Sequence, residues 1–173
     1  MAHGGMREGR EVMQFSMFSG TMRGGSSECT VVVADGPVQA PPVVPRAWAA
    51  IAMHPSALAV IESKLRAGGA VLYNRSLLDE PPHRPECTWF GIDAGAVAAG
   101  HGNPQGQSLV ALGAFATLTG LVGLEALEAS LADLLPAYRR HTIASNVACL
   151  TAGAQAALPL AHRHPAWNDG GPT

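Results

Sequence analysis

The stretch Trp48-Ala49-Ala50-Ile51-Ala52-Met53-His54-Pro55-Ser56-Ala57-Leu58-Ala59-Val60-Ile61-Glu62-Ser63-Lys64-Leu65-Arg66-Ala67-Gly68-Gly69-Ala70-Val71-Leu72-Tyr73-Asn74 decides the fold class. Its first six residues are a short, continuous apolar run, the pattern of a strand covered on both faces of a parallel sheet. His54-Pro55-Ser56 then opens a helix, because proline suits a first helical turn, where its missing N–H breaks no bond. Leu58, Ile61 and Leu65 fall at i, i+3 and i+7 and make one apolar face. Gly68-Gly69 is expected to stop the helix as a C-terminal glycine does. Ala70 to Asn74 reads as the next strand. Residues 48–74 therefore predict one βαβ unit.

C-terminal to that unit, Pro81-Pro82 and Pro85 make residues 76–88 a loop. Cys87 to Asp93 is a strand candidate, and residues 94–106 hold a brief helical turn and a loop. Ser108, a good N-cap, is expected to open a helix that Gly120 breaks. Leu124, Leu127, Leu131, Leu134 and Leu135 recur at helical spacing. A last helix covers about 139–157, and residues 158–173, with Pro159, Pro165 and Gly170-Gly171-Pro172, read as a loose tail. On the N-terminal side, Val12 to Phe18 alternates Met13, Phe15 and Met17 against Gln14 and Ser16. Glu28 to Ala34 carries the β-branched run Thr30-Val31-Val32-Val33. Residues 1–10, glycine-rich and polar, predict a flexible leader ahead of a domain at 11–157. The order predicts an α/β layered, Rossmann-like sheet with a βαβ core unit and a helical C-terminal part.

Between the two N-terminal strands lies Phe18-Ser19-Gly20-Thr21-Met22-Arg23-Gly24-Gly25-Ser26-Ser27. Arginine offers a planar fork of donors, and glycine permits close backbone approach to a neighbour. Arg23, Gly24, Gly25 and Ser26 are thus the candidate site residues. The alternative is a plain turn with a solvated arginine.

The rest of the inventory excludes self-sufficient chemistry. A formal charge of −2 leaves no electrostatic footprint for nucleic acid. Cys29, Cys87 and Cys149 are widely spaced, which argues against a disulfide framework, a zinc site or an iron–sulfur site housed here, and suits a reducing cytoplasm. No signal peptide opens the chain. The apolar run Leu109 to Leu124 falls short of the roughly 20 residues of a membrane span. No Gly-x-Gly-x-x-Gly follows a strand, and neither a Walker A nor a Gly-x-Ser-x-Gly stretch occurs. His54, His83, His101 and His141 are scattered and read as caps, loop or surface residues. His162-Arg163-His164 reads as solvated tail.

Three stretches carry a resemblance: Met22-Arg23-Gly24-Gly25-Ser26, Ser108-x-x-x-Leu112-Gly113-Ala114, and Asn146-x-x-x-Leu150-x-x-Gly153. Over residues 11–156 the chain resembles the γ subunit of 2-oxoacid:ferredoxin oxidoreductases, the module that forms domain III of fused pyruvate enzymes and occurs in indolepyruvate ferredoxin oxidoreductases. Ser19-Gly20-Thr21 stands where the family usually has Tyr-Gly-Pro-Glu, and Ser108 replaces an asparagine. The family's opening strand and Gly-x-Gly-Gly-Gln-Gly turn have no counterpart in this sequence.

The resemblance implies a non-autonomous subunit for oxidative decarboxylation of a 2-oxoacid to an acyl-CoA, with two electrons passing to ferredoxin. It implies that thiamine diphosphate, Mg and the iron–sulfur clusters reside in partner subunits of a hetero-oligomer. It places the Arg23–Ser26 loop near coenzyme A or a subunit interface. The competing expectation is a non-catalytic α/β interaction module derived from the same family.

Overall fold

The computed structural model describes residues 1–18, 27–38, 44–79 and 85–161. Two sheets are present among them. A two-stranded antiparallel sheet pairs β1 (Glu11–Phe18) with β2 (Ser27–Ala34). A three-stranded parallel sheet has the order β3-β4-β5, with β3 Ala47–Ala52, β4 Leu65–Asn74 and β5 Thr88–Ile92. The helices are α1 (Ala2–Arg7), α2 (Leu58–Lys64), α3 (Ala94–Gly100), α4 (Gln107–Thr119), α5 (Leu124–Leu134) and α6 (Ile143–Ala161). The predicted βαβ unit is β3-α2-β4, and its strands pair in parallel from Ala49↔Ala70 to Ala52↔Tyr73.

The parallel sheet divides the core by its pleat, since successive side chains face opposite ways. Ala70, Leu72, Phe90 and Ile92 point to one face and pack with Ala98, Val110, Ala114 and Cys149 of the helices. Val71, with Trp89 and Tyr73, points to the other and packs with Leu58 and Ile61 of α2, and with Leu65, Leu78 and Cys87. Asn146-x-x-x-Leu150-x-x-Gly153 and Ser108-x-x-x-Leu112-Gly113 meet where α4 crosses α6. A Cβ on Gly113 would run into the Leu150 carbonyl, and one on Gly153 into the Val110 carbonyl. Those two glycines let the backbones touch.

The structure corrects several expectations. Residues 2–7 are helical rather than a flexible leader. Gly4 and Gly5 are contact points: a Cβ on Gly4 would stand 2.8 Å from both Val122 and Leu127, and one on Gly5 would stand 3.0 Å from Val12. The helix of the βαβ unit ends at Lys64, not at the glycines. Leu65 is needed in the core beneath the sheet, 3 % exposed, and already belongs to β4. Gly68 (φ +74°) instead lies in an irregularity of β4, where the register jumps from Ala47↔Leu65 to Ala49↔Ala70. Its N–H donates to Glu86 O at 2.7 Å.

The N-cap of α4 is Gly106 rather than Ser108, because a 3-10 turn at Pro104–Gly106 runs directly into the helix. Gly120 ends α4 in the left-handed region, φ +60°. Residues 139–142 are 3-10 helix, and α6 runs on to Ala161 with Pro159 inside it, so residues 158–161 are not tail. The run Ala137–Leu160 is long and apolar enough to cross a membrane. Its Cys149, Leu150 and Ala157 are fully buried in the core, as in the central helix of an α/β fold.

Candidate functional site

Arg23, Gly24, Gly25 and Ser26 lie outside the described residues, as do His83 and His162-Arg163-His164. What is described is the hairpin that leads to the loop. Phe18 pairs with Ser27 at the last rung, so residues 19–26 join the strands there. One face of the hairpin carries Val12 and Val33 and packs on Gly5 of α1. The opposite face carries Met13/Val32, Phe15/Thr30 and Met17/Glu28, directly paired across the strands. Phe15, Met17 and Phe18 are exposed, Phe18 to 78 %. The hairpin is anchored at both ends: Arg10 Nε donates to Asp35 Oδ1 at 2.8 Å, and Lys64 of α2 pairs with Glu28. Glu28 is thus held in an ion pair that ties the hairpin to α2.

A second set of polar side chains gathers at the carboxyl ends of β4 and β5, the end at which open parallel sheets place their ligands. Asn74, 1 % exposed, accepts through Oδ1 from Ser76 N (3.1 Å) and Ala94 N (3.2 Å). Its Nδ2 donates to Gln107 Oε1 at 3.2 Å. One side chain thereby ties the end of β4 to the starts of α3 and α4. Ser76 donates through Oγ to Asp93 and accepts from Gly95 N at 2.8 Å. Asp93 caps α3, accepting from Ala96 N at 3.0 Å.

The Ser76 hydroxyl, then the Ala96 N–H and the Arg75 charge, hold the Asp93 carboxyl below the usual carboxylate range. A carboxylate so committed is a poor base. Burial pushes the Cys149 thiol up, away from a reactive thiolate. Among the described residues no three of His, Cys, Asp and Glu gather as metal ligands.

Sequence reasoning passed over this knot. In the sequence Asn74 and Asp93 read only as the last residues of two strands. The available signal was an aspartate immediately ahead of a small-residue helix, the N-cap pattern. Of the histidines, His54 is the N-cap its position suggests, accepting from Ser56 N at 3.2 Å.

The sequence matches the pyruvate ferredoxin/flavodoxin oxidoreductase family over residues 1–156. The chain belongs to that family. A search of curated proteins finds no match. Among solved structures, the γ subunit of a keto/oxoacid ferredoxin oxidoreductase from Geobacter sulfurreducens PCA is similar, with 23 % identity and a TM-score of 0.76 over 92 % of this chain and 88 % of that one. Pyruvate oxidoreductase subunit PORC from Thermotoga maritima has 19 % identity and a TM-score of 0.66, over 90 % and 84 %. A 2-oxoglutarate:ferredoxin oxidoreductase chain from Magnetococcus marinus, solved with 2-oxoglutarate, coenzyme A and succinyl-CoA bound, has 20 % identity and a TM-score of 0.78. There the match spans 90 % of this chain and 27 % of that chain. At these identities the likeness is one of fold. This pyruvate ferredoxin/flavodoxin oxidoreductase family member thus carries a family fold, with an exposed hairpin made of β1 and β2.

Proposed function

We propose that the chain is the γ-type subunit of a thiamine-dependent 2-oxoacid:ferredoxin oxidoreductase of the cytoplasm. The complex would convert a 2-oxoacid and coenzyme A to an acyl-CoA and pass two electrons to ferredoxin. The observation that carries the reading is the family match over residues 1–156, on a fold shared with γ subunits. Thiamine diphosphate, Mg and the iron–sulfur clusters belong, in this reading, to partner subunits.

The bare face with Phe15 and Met17 is the surface offered to the thiamine-binding partner, because exposed apolar patches mark association sites. Arg23 then pairs with a carboxylate of that partner or an anionic group of coenzyme A, while Gly24 and Gly25 admit close backbone approach. The test is co-expression with the neighbouring thiamine-enzyme subunits, followed by 2-oxoacid:coenzyme A turnover of variants. Arg23→Lys should impair turnover with little change in melting temperature. Arg23→Ala should impair it further, losing about 1.5–3 kcal/mol of transition-state stabilisation. Turnover within error of the parent for both would end the role of the loop. Failure of the chain to assemble with any thiamine-binding subunit would end the subunit reading and favour a scaffold module.

A further inference from the structure

Among the described residues β3 has β4 as its one strand neighbour, so its other side is an open sheet edge. The unpaired N–H and C=O groups of such an edge are a template for another strand, and soluble proteins guard them with lysine, proline or an inward-pointing charge. Residues 47–53 carry no charge and no proline. They read instead as an interior strand, apolar on both faces, as parallel strands with a layer on each side are. Yet residues 47–51 are only half-buried, whereas β4, between two neighbours, buries Ala70, Val71 and Leu72.

Both faces beside that edge already have cover. On one, Ala49, Ile51 and Met53 lie against the core of Leu72, Phe90 and Val110, and so does Met1, the N-cap of α1. On the other, Ala50 joins Leu58 and Ile61 of α2 against Val71. The same two helices reach the hairpin. α1 sets Gly5 against Val12 and Val33 on one hairpin face. Lys64, the last residue of α2, pairs with Glu28 on the opposite face. Hairpin and parallel sheet are thus spanned by the same helices on corresponding sides, and among the described residues no strand pairing joins them.

We propose that the open edge of β3 is a strand-addition site for an extended segment of a partner polypeptide, uncharged and apolar on both faces, matching the six residues of β3. The edge fixes the kind of occupant: backbone donors and acceptors at strand spacing are met by another strand rather than by a helix. The cover fixes its side chains. A strand beside β3 enters between the α1 layer and the α2 layer, where a charge on either face would be buried without a partner. The inference rests on the sheet alone and does not depend on the oxidoreductase reading.

The test follows hydrogen exchange of the full chain with and without a labelled Val/Ile/Ala peptide of that length, carrying terminal lysines for solubility. Fluorescence anisotropy reads the affinity. The peptide should bind and slow amide exchange within residues 47–53 by about tenfold or more. A strand turns alternate N–H groups to opposite sides, so two peptides N-methylated at odd or at even positions should behave differently. One should lose about tenfold or more in affinity and the other less. Glutamate along one face of the peptide should also weaken binding about tenfold. No binding, protection that leaves out residues 47–53, equal affinity of the two methylated peptides, or undiminished binding of the glutamate peptide overturns the proposal. Slower exchange of the same amides at rising chain concentration without peptide, with a dimer in sedimentation, would assign the edge to a second copy and also overturn it.

Discussion

β4 and β1 are strands of similar length in opposite circumstances. β4 has a hydrogen-bonded neighbour on each side and buries Ala70, Val71, Leu72 and Asn74 between two apolar layers. β1 has one neighbour, and every residue from Gln14 to Phe18 is exposed. A lone two-stranded hairpin is marginal in water. This one is kept in place by Gly5 of α1 against Val12 and Val33, and by ion pairs at either end. The contrast separates two tasks. The parallel sheet with α4 and α6 carries stability, and the hairpin carries apolar surface outward.

The strongest way to break the stable half is at the crossing of α4 and α6. Gly153→Val puts a branched side chain into the backbone of Val110, which has no rotamer to yield. We expect a loss of about 3 kcal/mol or more, read by urea unfolding or as failure to obtain folded protein. Asn74→Leu comes next. It strands the N–H groups of Ser76 and Ala94 and leaves Gln107 without its donor, at a cost of about 2–4 kcal/mol in the same measurement.

The hairpin should behave otherwise. Phe15→Ser with Met17→Ser should change the stability of the isolated chain by only about 0.5 kcal/mol, since both side chains already face water. The same pair should reduce association with a partner subunit in sedimentation. A large loss of stability instead would place these residues in the chain's own core.

The smallest effect is expected at Asp93. Its folded-state pKa lies below the ordinary value of 3.8, so its contribution is present above that value and is lost as pH falls through the lower folded-state one. Asp93→Asn should flatten the acid limb of stability below about pH 4, with a slight loss at neutral pH.

How much of this was written in the chain differs between the two halves. The apolar run 48–53, the periodic Leu58 and Ile61, and the run 70–74 determined a βαβ unit, because burial on both faces demands uninterrupted apolar residues. Local signals also determined the stop of α4 at Gly120 and the cap at His54, since both depend only on backbone geometry within a few residues.

The alternation of Met13, Phe15 and Met17 determined a strand with two unlike faces, but a period of two does not say which face is covered. Only the tertiary structure decided that α1 covers the valine face and leaves the methionine–phenylalanine face bare. In the same way, Gly4 looks like part of a leader until Val122 and Leu127, more than a hundred residues away, press on it. Gly68-Gly69 look like a helix stop until the pull of Leu65 into the core ends α2 early. Asn74 looks like the plain end of a strand until α3 and α4 bring their N–H and amide groups to it. In each case the deciding contact joins residues whose proximity is set by packing, and packing is a property of the whole chain, which no local pattern encodes.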